Sequence, residues 1–216
     1  MKEIDIHSRP VLSYRWAVFL LAAGYTVYNI LFNEWTGPGG PFRYLTIWAL
    51  VLSFYAASRM LARSEKRIER KHEVTAMVAA VLNGMVALLY WRLFLIDPSL
   101  VNGGNEIIWW QEYYLHGLGP ALQIIDALFI GRVFRRIWRA VLPLVAVIGA
   151  YILWSELFVQ RFNDSPTGSV TSGLPYPFMN SMELAERGMF YGSNMVVALL
   201  MLAGFAAVGW VIRRFL

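Results

Sequence analysis

Residues 109–132 read WWQEYYLHGLGPALQIIDALFIGR. Two tryptophans open the stretch, an arginine closes it, and what lies between is long enough to cross a bilayer, which takes about 20 residues. It carries His116. No other histidine of the chain sits in such a run, because His7 lies in the N-terminal tail and His72 in a charged segment. An ionisable side chain at membrane depth is costly, so His116 is read first as a functional residue.

The rest of the chain repeats the pattern. Of its 216 residues 58% are hydrophobic and only 15% charged, with a mean hydropathy of +0.49. Soluble domains carry about 25% charged residues. Apolar runs at 16–32, 42–60, 74–96, 110–131, 140–160 and 184–211 predict an all-α polytopic membrane protein, with 1–216 forming a single domain of six transmembrane helices in one bundle. Gly37-Pro38-Gly39-Gly40-Pro41 and Asp97-Pro98 break the helices on either side of them. Residues 161–182 are too polar to span and too long for a turn, which predicts an extracytoplasmic loop or cap.

Loop charges set the direction. Fifteen of the 19 Lys and Arg fall on the tail, the second and fourth connections and the C-terminus; Arg43, Arg92, Arg161 and Arg187 fall on the other side. The positive-inside rule then places both termini in the cytoplasm, and the chain in a cell membrane as a multi-pass protein, the cytoplasmic membrane if the cell is prokaryotic.

Several chemistries are excluded at this level. The net charge of +5 comes from short clusters flanking apolar runs, not from a nucleic-acid-binding arm. With no cysteine and one membrane histidine, neither a zinc set nor a bis-histidine haem can be assembled. G-x-S-x-G elbows and phosphate-cradling loops are missing, so no cofactor is expected.

With this topology the second, fourth and sixth helices all start at the outer face. Thr46 and His116 then lie at one depth, roughly 6–10 Å below their helix starts at about 1.5 Å per residue. Tyr90 and Arg92 reach that level from the third helix, and Arg187 from the start of the sixth. Asp126 lies about 15 Å further along its helix than His116, too far to orient it. A hydroxyl beside an imidazole is a nucleophile beside its base. Taken singly, each residue has a plainer role. Thr46 can bond its own helix backbone, His116 a neighbouring helix, Arg92 can snorkel, and Arg43 can anchor at the interface or hold a lipid carboxylate.

GGPFRYLTIWALVL around Thr46, LHGLGPALQIIDALF around His116 and LPYPFMNSMELAERGMFYGS before the last run carry a resemblance. They resemble segments of the androgen-induced-protein and androgen-dependent TFPI-regulating-protein family of six-pass membrane proteins, of which this chain looks like a compact, distant, prokaryotic-type member. The resemblance implies intramembrane hydrolysis of esters joining a fatty acid to a hydroxy fatty acid, with Thr46 as nucleophile and His116 as its partner. Gly117 departs from the pattern, which has a hydroxyl residue or a second histidine there, and bears on the substrate rather than on the pair. Arg43, Asn83, Tyr90, Arg92, Tyr176 and Arg187 are the candidate substrate-binding residues, and the partner is a membrane lipid or lipid ester. The alternative is a non-catalytic carrier or sensor that binds a lipid or small amphiphile in the same polar cavity.

Overall fold

The computed structural model describes residues 4–35, 37–102, 106–162 and 173–215. Among them the regular structure is all helical. Five helices are long and apolar enough to cross a membrane: α1 (Arg9–Phe32), α2 (Leu45–Ser64), α3 (Glu73–Ile96), α5 (Trp138–Val159) and α6 (Leu184–Phe215). Between α3 and α5 runs α4, residues 109–130, helical throughout but alternating α and π turns. It falls outside the apolar set because it carries Gln111, Glu112, His116, Gln123 and Asp126. The chain is a multi-pass membrane protein, and its most polar helix is the one that builds the site.

The bundle is organised around α3. Its sequence AMVAAVLNGMVALL is rich in small residues, and Ala76 to Val86 are buried without interruption. Membrane helices gain their packing from close backbone approach, which small side chains permit. At Gly84 a Cβ would come within 2.5 Å of the Met201 sulfur on α6. Helices α2, α4, α5 and α6 surround it, so any pocket between them has α3 as its floor.

Sequence and structure differ at two helix starts. The second apolar run begins at Phe42, but Gly40–Arg43 forms a 3-10 turn, Tyr44 is extended, and α2 begins at Leu45. Two bonds hold that entry. The Trp48 indole N–H donates to the Phe42 carbonyl at 2.8 Å and the Tyr151 hydroxyl donates to the Arg43 carbonyl at 3.1 Å, while the Tyr151 and Tyr176 hydroxyls also interact with the Leu45 backbone. Gly39, at φ 84°, makes the preceding turn possible. The first helix starts at Arg9 rather than near Trp16, with Pro10 in its first turn where no N–H is needed.

Arg15 falls within the added stretch. Counted from sequence among the flanking charges, it is buried inside the bundle at 1% exposure. Its guanidinium grips Asp126 through Nε–Oδ2 at 2.9 Å and Nη2–Oδ1 at 2.8 Å, and Nη1 donates to the Met60 carbonyl and the Ser64 hydroxyl. One side chain from α1 thus ties α4 to the end of α2.

Candidate functional site

Thr46 is the second residue of α2, held at its depth by the entry bonds just described. First-turn amides have no carbonyl four residues back to bond, so the helix itself leaves the Thr46 N–H unused. His116 lies in a π turn, Tyr114–Leu118, in which the Gly119 N–H bonds the Tyr114 carbonyl. Pro120 follows and has no N–H. The π turn and the proline together deprive the Leu115 and His116 carbonyls of their usual helical donors. The Trp91 indole N–H takes over for His116, donating to its carbonyl at 2.8 Å. The extra residue in the turn also re-aims the imidazole toward α2.

The two groups meet. Thr46 Oγ1 lies 3.2 Å from His116 Nε2, across 70 residues of sequence. On the other side of the ring, Nδ1 lies 2.8 Å from Oε2 of Glu112, one helical turn earlier. Both atoms are buried, and the contact is a close ion-pair approach rather than an aligned hydrogen bond. A carboxylate beside Nδ1 favours the proton on that nitrogen, which leaves Nε2 as the acceptor facing the hydroxyl. The ring of Tyr90 stacks flat on the imidazole, with centroids 3.6 Å apart and planes 7° apart, and its hydroxyl is within electrostatic reach of Glu112. Position, tautomer and ring plane of His116 are each set by a separate neighbour.

Thr46, Glu112 and His116 stand on the wall of a cavity of about 290 Å³ between α2, α3, α4, α5 and α6. Leu82, Met85, Val86, Leu89, Ile148 and Ile152 make its inner wall, and Tyr176, Phe178 and Met179 close it from the 173–182 segment. That segment is braced by Asn180, fully buried, whose side chain accepts from the Leu174 N–H at 2.6 Å and donates to the Leu174 carbonyl at 3.2 Å. Residues 163–172 of the expected 161–182 cap lie outside the described residues. The lining is mostly apolar, with Thr46, Glu112 and His116 among its polar groups.

A family model described as FAR-17a/AIG1-like protein matches residues 16–208. The chain belongs to that family. The match takes in all three segments that carry the resemblance to the androgen-induced proteins. No curated protein and no solved structure matches the chain.

The other residues singled out in this FAR-17a/AIG1-like sequence divide by position. Tyr90 and Tyr176 line the cavity. The Tyr176 phenol, outside the helices, has its pKa pushed well up by burial and the adjacent Tyr151, so it stays a hydrogen-bond donor. Asn83 lies below, donating to the Ser53 hydroxyl at 2.7 Å and the Ala79 carbonyl at 2.8 Å, and so joins α3 to α2. Arg187 is buried but engaged, with Nε and Nη2 on Glu156 at 2.9 and 3.2 Å and Nη1 on the Met182 carbonyl. Arg43 flanks the Gly37 turn, and Arg92 is exposed; neither lines the cavity.

Two residues escaped the sequence reading. Glu112 had a signal, since Glu112 and His116 are four apart and therefore share a helix face. Gln111 had none. It is 7% exposed, it lines the cavity, and its side-chain nitrogen has no hydrogen-bond partner. Buried amide donors are seldom left unused, so Gln111 is read as a donor for a bound ligand.

Proposed function

We propose that this protein is an intramembrane hydrolase of lipid esters, in which Thr46 is the nucleophile and His116 its general base. The carrying observation is the 3.2 Å approach of Thr46 Oγ1 to His116 Nε2, with Glu112 on the far nitrogen. Family membership and the apolar cavity support the reading. All six helices cross the membrane, both termini are cytoplasmic, and the site lies in the outer third of the bundle. The meeting of Thr46 and His116 near the N-terminal ends of α2 and α4 is what two helices entering from the same face would give.

The reaction runs in two halves. Thr46 Oγ1 attacks the ester carbonyl carbon while Nε2 takes the hydroxyl proton, and negative charge collects on the carbonyl oxygen. The first-turn N–H of Thr46 and the unpartnered Gln111 amide serve as donors to that oxygen, and the start of α2 adds its positive dipole end. Collapse breaks the bond to the alcohol oxygen, which receives the proton from Nε2 and leaves an acyl-threonine. Water then attacks the same carbon, its proton passes through Nε2 to Thr46 Oγ1, and the fatty acid departs. The substrate class is an ester whose acyl chain lies in the cavity, such as a fatty acid ester of a hydroxy fatty acid.

The test is covalent. A fluorophosphonate probe is expected to label the purified protein at Thr46, read by peptide mass, and Thr46→Ala is expected to lose both labelling and turnover of long-chain esters. A protein that binds the esters equally well as wild type or Thr46→Ala, and is never labelled, is a lipid carrier instead. Replacing Gln111 by Leu is expected to lower kcat by about 10²-fold, the usual cost of one oxyanion donor, with little change in KM. An unchanged kcat would remove Gln111 from the mechanism.

A further inference from the structure

Thr46 has a second cavity at its back. A chamber of about 10 Å³ is lined by Thr46, Leu50, Ser53, Asn83, Tyr114, Leu115, Gly119 and Pro120, and shares only Thr46 and Leu115 with the main cavity's lining. Its size is about that of one water, which needs roughly 10–15 Å³ and two to four polar partners. Those partners are present. The Ser53 hydroxyl donates to the Ala49 carbonyl at 2.7 Å and accepts from Asn83 Nδ2 at 2.7 Å, leaving a lone pair. Thr46, whose hydroxyl lies on His116 Nε2, and Leu115, whose carbonyl the π turn and Pro120 leave without its usual helical donor, line the same space. The gap exists because α4 is irregular there. A regular α turn with an alanine in place of Pro120 would spend that carbonyl inside the helix.

An acyl-threonine poses a supply problem. The acyl chain fills the apolar cavity in front of Thr46, so the attacking water cannot readily arrive from that side. We propose that the chamber bounded by Thr46, Ser53 and Asn83 holds the water that releases the acyl group. This rests on the acyl-threonine reading above and explains why such a site would hydrolyse its ester rather than pass the acyl group to a second lipid. Water oxygen bonds to the acyl carbon, its proton goes to His116 Nε2 and on to Thr46 Oγ1, and the carbon–Oγ1 bond breaks. No other reactant is needed.

Ser53 variants separate chamber volume from hydrogen bonding. Ser53→Val and Ser53→Thr both add a methyl group to the chamber, and only Thr keeps the hydroxyl; Ser53→Ala removes the hydroxyl and leaves the space. With a chromogenic fatty-acyl ester, the pre-steady-state burst reports acylation and the steady state reports deacylation. Val and Thr are expected to keep the burst rate within about twofold, lower steady-state turnover at least tenfold, and accumulate acyl-threonine visible in the intact mass. Ala is expected to slow turnover less than either. Equal steady-state rates in all three variants would overturn the proposal. So would burst and steady state falling together, or Ala and Val being alike with Thr at wild-type rate, since each signals a purely structural Ser53. A wild-type protein that turns over ester without ever carrying an acyl group on Thr46 would sink the proposed function itself instead.

Discussion

Exchange of Glu112 for Gln is expected to reduce ester turnover by about 10³- to 10⁴-fold while leaving the helix bundle and KM nearly unchanged. The magnitude follows from what a carboxylate beside a catalytic imidazole does. In serine hydrolases, replacing it by an amide leaves geometry intact and costs about 10⁴ in kcat, because the imidazole then settles in the wrong tautomer. Here Glu112 Oε2 is 2.8 Å from Nδ1, and both atoms are buried. A glutamine can present its amide N–H to Nδ1, which moves the ring proton to Nε2, toward Thr46. Nε2 then donates to the hydroxyl instead of accepting its proton, and the nucleophile is not activated. Probe labelling of Thr46 should slow in parallel, whereas thermal stability in detergent and binding of a non-hydrolysable ether analogue should persist. Turnover within about threefold of wild type would show that Tyr90 and Trp91 alone suffice to hold the imidazole. Loss of analogue binding would show that Glu112 shapes the cavity instead.

How far the sequence discloses this arrangement depends on which quantity is asked for. Apolar runs disclose helices, because lipid forces backbone polar groups to pair within each segment. The same rule makes α4 conspicuous, since its polar residues must face protein. Depth is legible too: helix rise is constant, so Thr46 and His116 are brought to one level by counting alone. Azimuth is not. A π turn inserts a residue and swings everything beyond it by about a third of a turn. Nothing in YLHGL announces that turn, although Pro120 marks the place where helical bonding must fail. The start of α2 is obscured for a similar reason. Phe42 and Tyr44 look like helix to a hydropathy count, but Pro41 and the left-handed Gly39 and Gly40 favour a tight turn first. Glu112 stood in plain view next to interfacial aromatics, where a carboxylate reads as solvated. Only the cross-helix contact with Thr46 gives its spacing from His116 a purpose.

Arg15 shows the same limit in another form, and it carries the largest expected effect on stability. Its partner Asp126 is unfit to orient His116, yet it is as deeply buried, at 7% exposure. The pair is bidentate, with side-chain exposures of 1% and 9%, and Arg15 also satisfies the Met60 carbonyl and the Ser64 hydroxyl. Removing one member of such a pair leaves an uncompensated buried charge, at a cost of about 3–5 kcal/mol. Asp126→Leu and Arg15→Met are each expected to be destabilised by that much, as a clear fall in the detergent unfolding midpoint. The pair itself is a different matter, because desolvating two charges offsets most of their attraction, and apolar replacements of similar volume are often neutral or better. Arg15→Met combined with Asp126→Leu is therefore expected to return to within about 1 kcal/mol of wild type, a strongly non-additive result for residues in direct contact. Ester turnover should return with it, since the pair lies about 15 Å from His116 along α4 at 1.5 Å per residue. A double variant as unstable as the sum of the singles would mean that the Met60 and Ser64 bonds, not the ion pair, fasten α1 to the bundle. A double variant that is stable but inactive would mean that the inner ion pair sets the rotation of α4, and through it the aim of His116.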